Sequence, residues 1–422
     1  MTRFVAALGT LFGLSLWAQT TPIHVILLGT SGPSVTRSVS EAGLLVEAGG
    51  ETLLFDCGRG VPERIMQLGP SKYGPRLGVN KVFLSHLHSD HTEGLPILWM
   101  TGWTARGNNP LNVWGPGPDV DTPTATGDIL AQLQTAFATN THIRRDLVEH
   151  NPGGGIMIKA MEVSEGVVYQ NNGVTVTAFL VDHQPVKPAF GYRVDYAEHS
   201  VVFSGDTTRN DNLIKFAKGA DVLIHEVLIP AAGADPTIPN AIRDYHTTPE
   251  QAADIFKQTA PRLAVYTHIV STVTAGPGGV VDSRQGLVDR TRAASYAGPL
   301  EVGQDLMSID ISDNIVVHRP LSCPTPQISA LTDSSYGNNI TADGTLIVWG
   351  TGFTPSGGNA IQFTRPGFDT VSLDEADGLS FWDQSQDQIN VDLGGRLVPG
   401  QWQVSVSNFC GTASLPAVLT IH

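Results

Sequence analysis

Apolar and polar positions alternate in short blocks over the first three quarters of the chain, and the period of the blocks changes along it. Ile23–Leu28 is a nearly continuous apolar run closed by the turn-rich stretch 29–32, and Gly43–Glu47 and Thr52–Phe55 flank the pair Gly49-Gly50, so all three read as strands. Val61–Leu68 has the spacing of a short helix and Lys81–Leu84 that of a buried strand. In Gly127–Leu147 the apolar residues fall at Ile129, Leu130, Leu133, Phe137, Ile143 and Leu147, the spacing of one or two helices. Val167–Val181 reads as two strands turning at Asn171-Asn172-Gly173. Further strands are predicted at Gly191–Val194, Ser200–Ser204, Val222–His225 and Leu263–His268, with helices at Asn212–Lys218 and Thr248–Thr259.

The character changes at Arg319–Pro326 (RPLSCPTP), whose prolines mark a linker. Beyond it no segment has helical spacing. Short alternating runs at Thr345–Trp349, Ala360–Phe363, Gln388–Leu393, Trp402–Val406 and Ala417–Ile421 predict a small immunoglobulin-like β-sandwich of roughly seven strands. The chain thus divides into a mixed α/β region over 19–318, a linker over 319–326 and an all-β unit over 327–422.

Composition narrows the picture. With 15% charged and 41% hydrophobic residues in 422, the chain is globular and not disordered. The excess of 40 acidic over 25 basic residues gives a formal charge of −15, which counts against a protein built to grip a nucleic-acid backbone, whose affinity comes from neutralising phosphates. It does not count against a small anionic ester, because a bound metal can dominate the charge of a small site. Thr2 and Arg3 precede an apolar run, Phe4–Trp17, and then Ala18, so residues 1–18 read as a secretory signal and the mature chain is expected to be secreted or periplasmic, with no membrane span left after cleavage. An uncleaved anchor is the rival reading. Export makes Cys323 and Cys410, near the two ends of the β unit, a candidate disulfide, whereas Cys57 reads as a buried residue of a strand turn. The pattern leaves the oligomeric state open, a homodimer included.

Candidate chemistry concentrates in Ser85–Gly94 (SHLHSDHTEG), directly after the buried strand at Lys81–Leu84. A loop leaving a buried strand can aim several side chains at one point, and this one carries His86, His88, Asp90 and His91. Neutral imidazoles and carboxylates are the donors zinc favours. One loop cannot complete two coordination spheres, so further donors are needed at other strand ends: His183 follows the second strand of the hairpin, Asp206 ends VVFSGD and His268 ends LAVYTH. His225 is placed on the opposite face of its strand by alternation.

These segments resemble the metallo-β-lactamase fold hydrolases, and within them the ribonuclease Z-like branch. LLGTSGPSVTRS, LLFDCGRG, FLSHLHSDHTEGLP, VDHQPVKPAFGYRV, VVFSGDTT, DVLIHEV, YHTTPEQAA and YTHIV occur in the family's order between about residues 23 and 312. The resemblance implies an αββα sandwich with two zinc ions at one edge, His86, His88 and His183 on one ion, Asp90, His91 and His268 on the other, and Asp206 bridging. It implies catalytic roles for Asp90, for His246 as the substrate-facing histidine, and for Glu226 as its orienting partner; Asp56 is expected to orient the metal loop. Two zinc ions a few ångströms apart lower the pKa of a bridging water and polarise an ester oxygen.

The chain departs from ribonuclease Z in two places. Arg59 stands where that family usually has Glu, and only 22 residues separate His183 from Asp206, too few for the long tRNA-gripping arm many ribonuclease Z enzymes carry there. Together with the acidity and the signal, this favours a secreted dizinc hydrolase of a small phosphodiester or aryl sulfate, and the chain also looks like exported arylsulfatase-like members of the branch. The alternatives are tRNA 3′ processing, with nucleic acid the less expected partner, and a non-catalytic binding or adhesion protein acting through the β unit. β-Lactam hydrolysis fits less well, since that branch lacks an HTTPEQAA-like segment. The substrate pocket is expected to draw its walls from Thr101–Gly155.

Overall fold

A computed structural model describes residues 22–33, 39–68, 79–106, 109–147, 154–229, 242–271, 284–320, 325–353, 360–374, 381–384, 388–407 and 414–422. The expected signal, the linker core and the proposed Cys323–Cys410 bridge lie outside the described residues.

Among the described residues, two large sheets dominate the first 318. One has eight strands in the order Ile315–His318, Ser308–Ile311, Ile23–Gly29, Gly43–Ala48, Glu51–Phe55, Lys81–Phe83, Leu111–Pro116 and Ile158–Val163. The other has seven, in the order Leu300–Val302, Leu263–Ser271, Val222–Ile229, His199–Phe203, Val186–Tyr196, Val174–His183 and Gly166–Asn171. Their inner faces meet in one apolar layer, in which Val25, Leu27, Val46, Phe55 and Phe83 of the first sheet pack on Val176, Tyr192, Val194, Phe203 and Ile224 of the second. Phe83 stacks on both Phe55 and Trp114, at centroid distances of 5.1 and 4.7 Å. Each outer face is covered by helices. Leu95, Leu98, Trp99 and Trp103 of helix Leu95–Arg106, with Ile65 and Leu130, cover the first sheet. Leu213 and Ala217 of Asp211–Ala217, Ile255 and Phe256 of Pro249–Thr259 and Leu287 of Arg284–Ala293 cover the second. This helix, sheet, sheet, helix layering is why Ile23–Gly29 reads as a continuous apolar run: both of its faces are buried.

The predicted elements of the second sheet appear within a few residues of their expected bounds, with Val186–Tyr196 longer than expected. The predicted helix over 127–147 is broken into Thr126–Ala136, Ala138–His142 and a wide turn at Ile143–Leu147. Helix Leu95–Arg106 and strand Leu111–Pro116 were not legible, because tryptophans, glycines and prolines blur both periods there, nor was strand Ile158–Val163, where only the two end residues are buried and no alternation shows.

The last hundred residues form a small all-β unit of eight described strands in two four-stranded sheets. Taken in chain order, the first, second, sixth and fifth strands make one sheet in that order, and the fourth, third, seventh and eighth make the other. Leu346, Val348 and Val391 of one sheet pack against Ile361, Phe363, Trp402 and Val404 of the other. None of these residues enters the cores of the larger sheets.

Candidate metal centre

The donor loop is built by strand geometry. Lys81–Phe83 runs parallel between Glu51–Phe55 and Leu111–Pro116, so the chain leaves it at the same edge where its neighbours end. A single 3₁₀ turn, Ser89–His91, folds the loop back, and Thr92 Oγ1 donates to the His88 carbonyl at 3.0 Å. Gly58 sits beneath the loop, where a Cβ would come within 2.2 Å of the Asp90 carbonyl oxygen, so only glycine lets the two segments approach this closely. Asp206 follows Gly205, whose φ of 60° turns the chain sharply out of strand His199–Phe203.

His268 reaches the site by a different device. The pairing of Val222–Ile229 with Leu263–Ser271 slips between Glu226/Thr267 and Val227/Ile269, leaving His268 as an extra residue at φ 41°. Such a bulge re-aims one side chain without ending the strand. His183 closes strand Val174–His183.

These routes converge. His86 Nε2 and His183 Nε2 lie 2.9 and 3.3 Å from His88 Nδ1, and 3.8 and 3.9 Å from Asp206 Oδ2. On the other side His268 Nε2 lies 3.2 Å from His91 Nε2 and 3.0 Å from Asp90 Oδ2, and both imidazoles lie 3.4 Å from the same Asp206 Oδ2. Donors held about 2.0–2.2 Å from a tetrahedral ion stand about 3.3–3.6 Å from one another, the edge of the tetrahedron. The observed separations bracket that value, so the donor set fits two ions with Asp206 facing both. All seven side chains except His88 are buried, and Asp206 Oδ1 is buried without a hydrogen-bond partner.

The electrostatics suit cation binding. Burial lowers His86 well below the ordinary histidine value and takes His183 down to about 4, despite the nearby Asp206, so both are neutral donors at pH 7. Burial also acts to lower His91, but Asp206, Asp56 and Asp90 outweigh it and hold a proton on that ring in the metal-free protein. A dication placed there supplies the same neutralising charge and releases the proton. Asp206 is pressed well below the carboxylate range by His268 and His91, although burial opposes this.

The supporting groups are as tightly determined. Asp56, at φ 57°, accepts from Ser85 N at 2.7 Å, from Ser85 Oγ at 2.8 Å and from His91 Nδ1 at 2.8 Å, which turns His91 Nε2 into the cluster. His183 Nδ1 donates to the Tyr245 carbonyl at 2.9 Å. Cys57 is buried and free, and burial pushes its thiol well up, as expected of an inert side chain.

His246 stands over the cluster, its ring stacked at 5.7 Å on His268 and 5.2 Å from His183. Burial acts to lower it, but Glu226 and Asp206 outweigh burial and raise it to about 9 in the metal-free protein. Glu226 Oε1 is 3.3 Å from His246 Nδ1, close enough for an ion pair but not in hydrogen-bonding geometry. Its firm contacts are to backbone: Oε1 accepts from Thr247 N at 2.9 Å and Thr207 N at 3.3 Å, the residues directly after His246 and Asp206. Thr247 Oγ1 in turn donates to the Thr207 carbonyl at 2.6 Å. Glu226 therefore ties two functional segments together, more than the simple His246 partner the sequence implies. Thr248 begins helix Pro249–Thr259 with a reciprocal cap to Gln251, fixing the segment two residues downstream. His225 faces away, packed edge-on against Phe256.

A cavity of about 370 Å³ adjoins His88 and is lined by Leu87, Pro116, Gly117, Thr122, Thr124, Ile129, Val186, Lys187 and Pro188. Half of that wall comes from the stretch Thr101–Gly155, as expected, and the rest from the donor loop and the start of strand Val186–Tyr196. A second cavity, of about 400 Å³, lies in the C-terminal unit between Gln327–Thr332 and Ala417–Ile421 and contains none of the donors.

Comparison with known proteins agrees with this geometry. Residues 51–269 match the family described as the beta-lactamase superfamily domain. The chain therefore belongs to the metallo-β-lactamase superfamily of metal-dependent hydrolases. Within that class it is a ribonuclease Z-like member: it is 32% identical to ribonuclease Z of Mycobacterium sp. (strain KMS) over 303 residues, covering 70% of this chain and 98% of the relative. Ribonuclease Z of Mycobacterium avium (strain 104) is 32% identical over 301 residues, covering 68% and 98%. Among solved structures, the metallo-beta-lactamase fold protein YhfI from Bacillus subtilis matches with a TM-score of 0.50 at 19% identity, covering 68% of this chain and 98% of that one.

Proposed function

We propose that the chain is a dizinc hydrolase that opens a phosphodiester in a small substrate. The observation that carries the reading is the meeting at Asp206 of two donor groups, His86, His88 and His183 on one side and Asp90, His91 and His268 on the other, with the His246 imidazole beside them. His86, His88 and His183 would hold one ion, Asp90, His91 and His268 the other, with Asp206 common to both. When bound, the ions supply an activated water and Lewis-acid polarisation of the ester. With His246 Nδ1 turned toward Glu226, Nε2 is the nitrogen left for the substrate, where it donates to a developing oxyanion or protonates the leaving alcohol. Glu226 keeps that ring in place by holding the backbone on its C-terminal side.

The choice of a small substrate is supported by the 22 residues between His183 and Asp206. Sixteen of them lie in strands Val186–Tyr196 and His199–Phe203 within the sheet, so no arm projects there to grip a folded RNA. The formal charge of −15 weighs the same way. A second reading, tRNA 3′ processing, is favoured by the ribonuclease Z names of the relatives. We assign the signal-like segment 1–18 to export, which would keep the protein apart from cytoplasmic tRNA. For the C-terminal unit, the strand order first-second-sixth-fifth and fourth-third-seventh-eighth supports the reading as an immunoglobulin-like sandwich with a spacing or attachment role.

The deciding experiment assays the full chain, with its metal content measured, on bis-p-nitrophenyl phosphate, p-nitrophenyl sulfate, nitrocefin and a precursor tRNA. Two zinc ions per chain and preferential turnover of the phosphodiester are expected. Two zinc ions with no turnover of any ester would overturn the enzyme reading, and cleavage of the tRNA alone would replace it with the second.

A further inference from the structure

The cavity beside His88 is half-open to solvent and borders the donor cluster. Its lining includes Leu87 and His88, so a group that fills it would lie next to an ester held at the donor cluster. Pro116, Gly117, Thr122, Thr124 and Ile129 close one side, Val186 and Pro188 the other. The two sides are joined: Thr122 Oγ1 donates to the Lys187 carbonyl, and Thr126 Oγ1 donates to the Pro116 carbonyl at 2.9 Å, which ties the start of helix Thr126–Ala136 to the end of strand Leu111–Pro116.

Its chemistry is selective. Five of the side chains are aliphatic or proline, and Lys187 is the one permanently charged group in the wall. That charge is already shared with Asp121, 3.5 Å away. One partly neutralised ammonium makes a poor cradle for a run of phosphates, whereas mostly apolar walls of this volume suit a single ring system with its substituents. We infer that this cavity is the specificity pocket of the site and seats a planar apolar ring, of an aryl group or a nucleobase, carried by the phosphoryl ester held at the metals. The inference rests on the hydrolase reading for where the ester lies, but ring recognition itself can be read by binding alone.

The test is calorimetric titration of the zinc-loaded full-length protein with phenylphosphonate, with the methylphosphonate analogue of thymidine 5′-monophosphate and with methylphosphonate, which carry a phosphonate with an aryl ring, a nucleobase or neither. Burial of one ring is expected to make the first or second bind roughly ten- to a hundredfold tighter than methylphosphonate. Whichever of the two is preferred distinguishes aryl from nucleoside substrates. Ile129→Trp, which fills the cavity, should erase the preference while methylphosphonate binds as before; Ile129→Val, which leaves it open, should keep the preference. Equal binding of all three ligands to the wild type, or a preference unchanged by Ile129→Trp, would overturn the pocket. Failure of the hydrolase reading would appear separately, as absence of turnover in a protein that still discriminates among the phosphonates.

Discussion

At the residue scale the centre depends on groups that never touch a metal. Glu226 holds the backbone after both Asp206 and His246 through one oxygen, so its removal should disturb the proton donor more than the donor cluster. Two variants separate these roles. His246→Gln removes the imidazole and should lower kcat on a phosphodiester by about 10²–10⁴-fold while zinc content stays near two per chain. Glu226→Gln keeps an oxygen for Thr247 N and should lose less activity than His246→Gln, again with zinc retained. Metal analysis beside steady-state kinetics checks both; loss of zinc in His246→Gln would instead make that residue a ligand. The donors themselves were readable from the sequence, because three histidines and an aspartate cannot crowd one strand-end loop for packing reasons. Ser85 and Thr207 were not, because an isolated hydroxyl beside a ligand has no spacing signature. Only the fold shows that Ser85 Oγ meets Asp56 at 2.8 Å and His86 Nδ1 at 3.0 Å.

At the element scale the two sheets are latched at the edge far from the donor loop. Glu51, at the start of strand Glu51–Phe55, accepts from Tyr169 Oη at 2.7 Å and from Asn171 and Asn172 Nδ2 at 2.6 Å each, and pairs with Lys81 at 2.9 Å. The Asn-Asn-Gly turn that marked the hairpin in the sequence thus also supplies donors to the opposite sheet. Burial acts to raise Glu51, but Tyr169 and Lys81 outweigh it and its pKa falls below the ordinary 4.5. A carboxylate with a lowered folded-state pKa contributes its stability in full above the unfolded value and loses it as the pH falls through the folded value. Glu51→Gln should therefore destabilise the protein at pH 7, and the gap from wild type should narrow as the pH falls below the ordinary value of 4.5, which urea midpoints against pH would measure.

At the scale of the whole molecule, the curated relatives are matched over nearly their full length by about 70% of this chain, and the β unit has a core of its own. Removal of residues 321–422 should leave kcat/KM on a small phosphodiester within about threefold of the full chain, as measured in parallel assays; loss of turnover in a still-folded product would show that the β unit completes the site. The sequence by itself placed most strands and helices by apolar period and marked the candidate donors by a histidine-rich loop after a buried strand, while the layered fold was implied by the resemblance its motifs carry. Helical spacing stops at the expected linker over 319–326, and the described strands beyond it have a core of their own. Tertiary structure alone shows what aims the two implied donor groups at Asp206: a bulge at His268 and a glycine turn at Gly205, both set by backbone pairing between segments distant in the chain. It alone decided the pocket, whose two walls come from stretches some 60 residues apart and meet only when Thr122 reaches the Lys187 carbonyl.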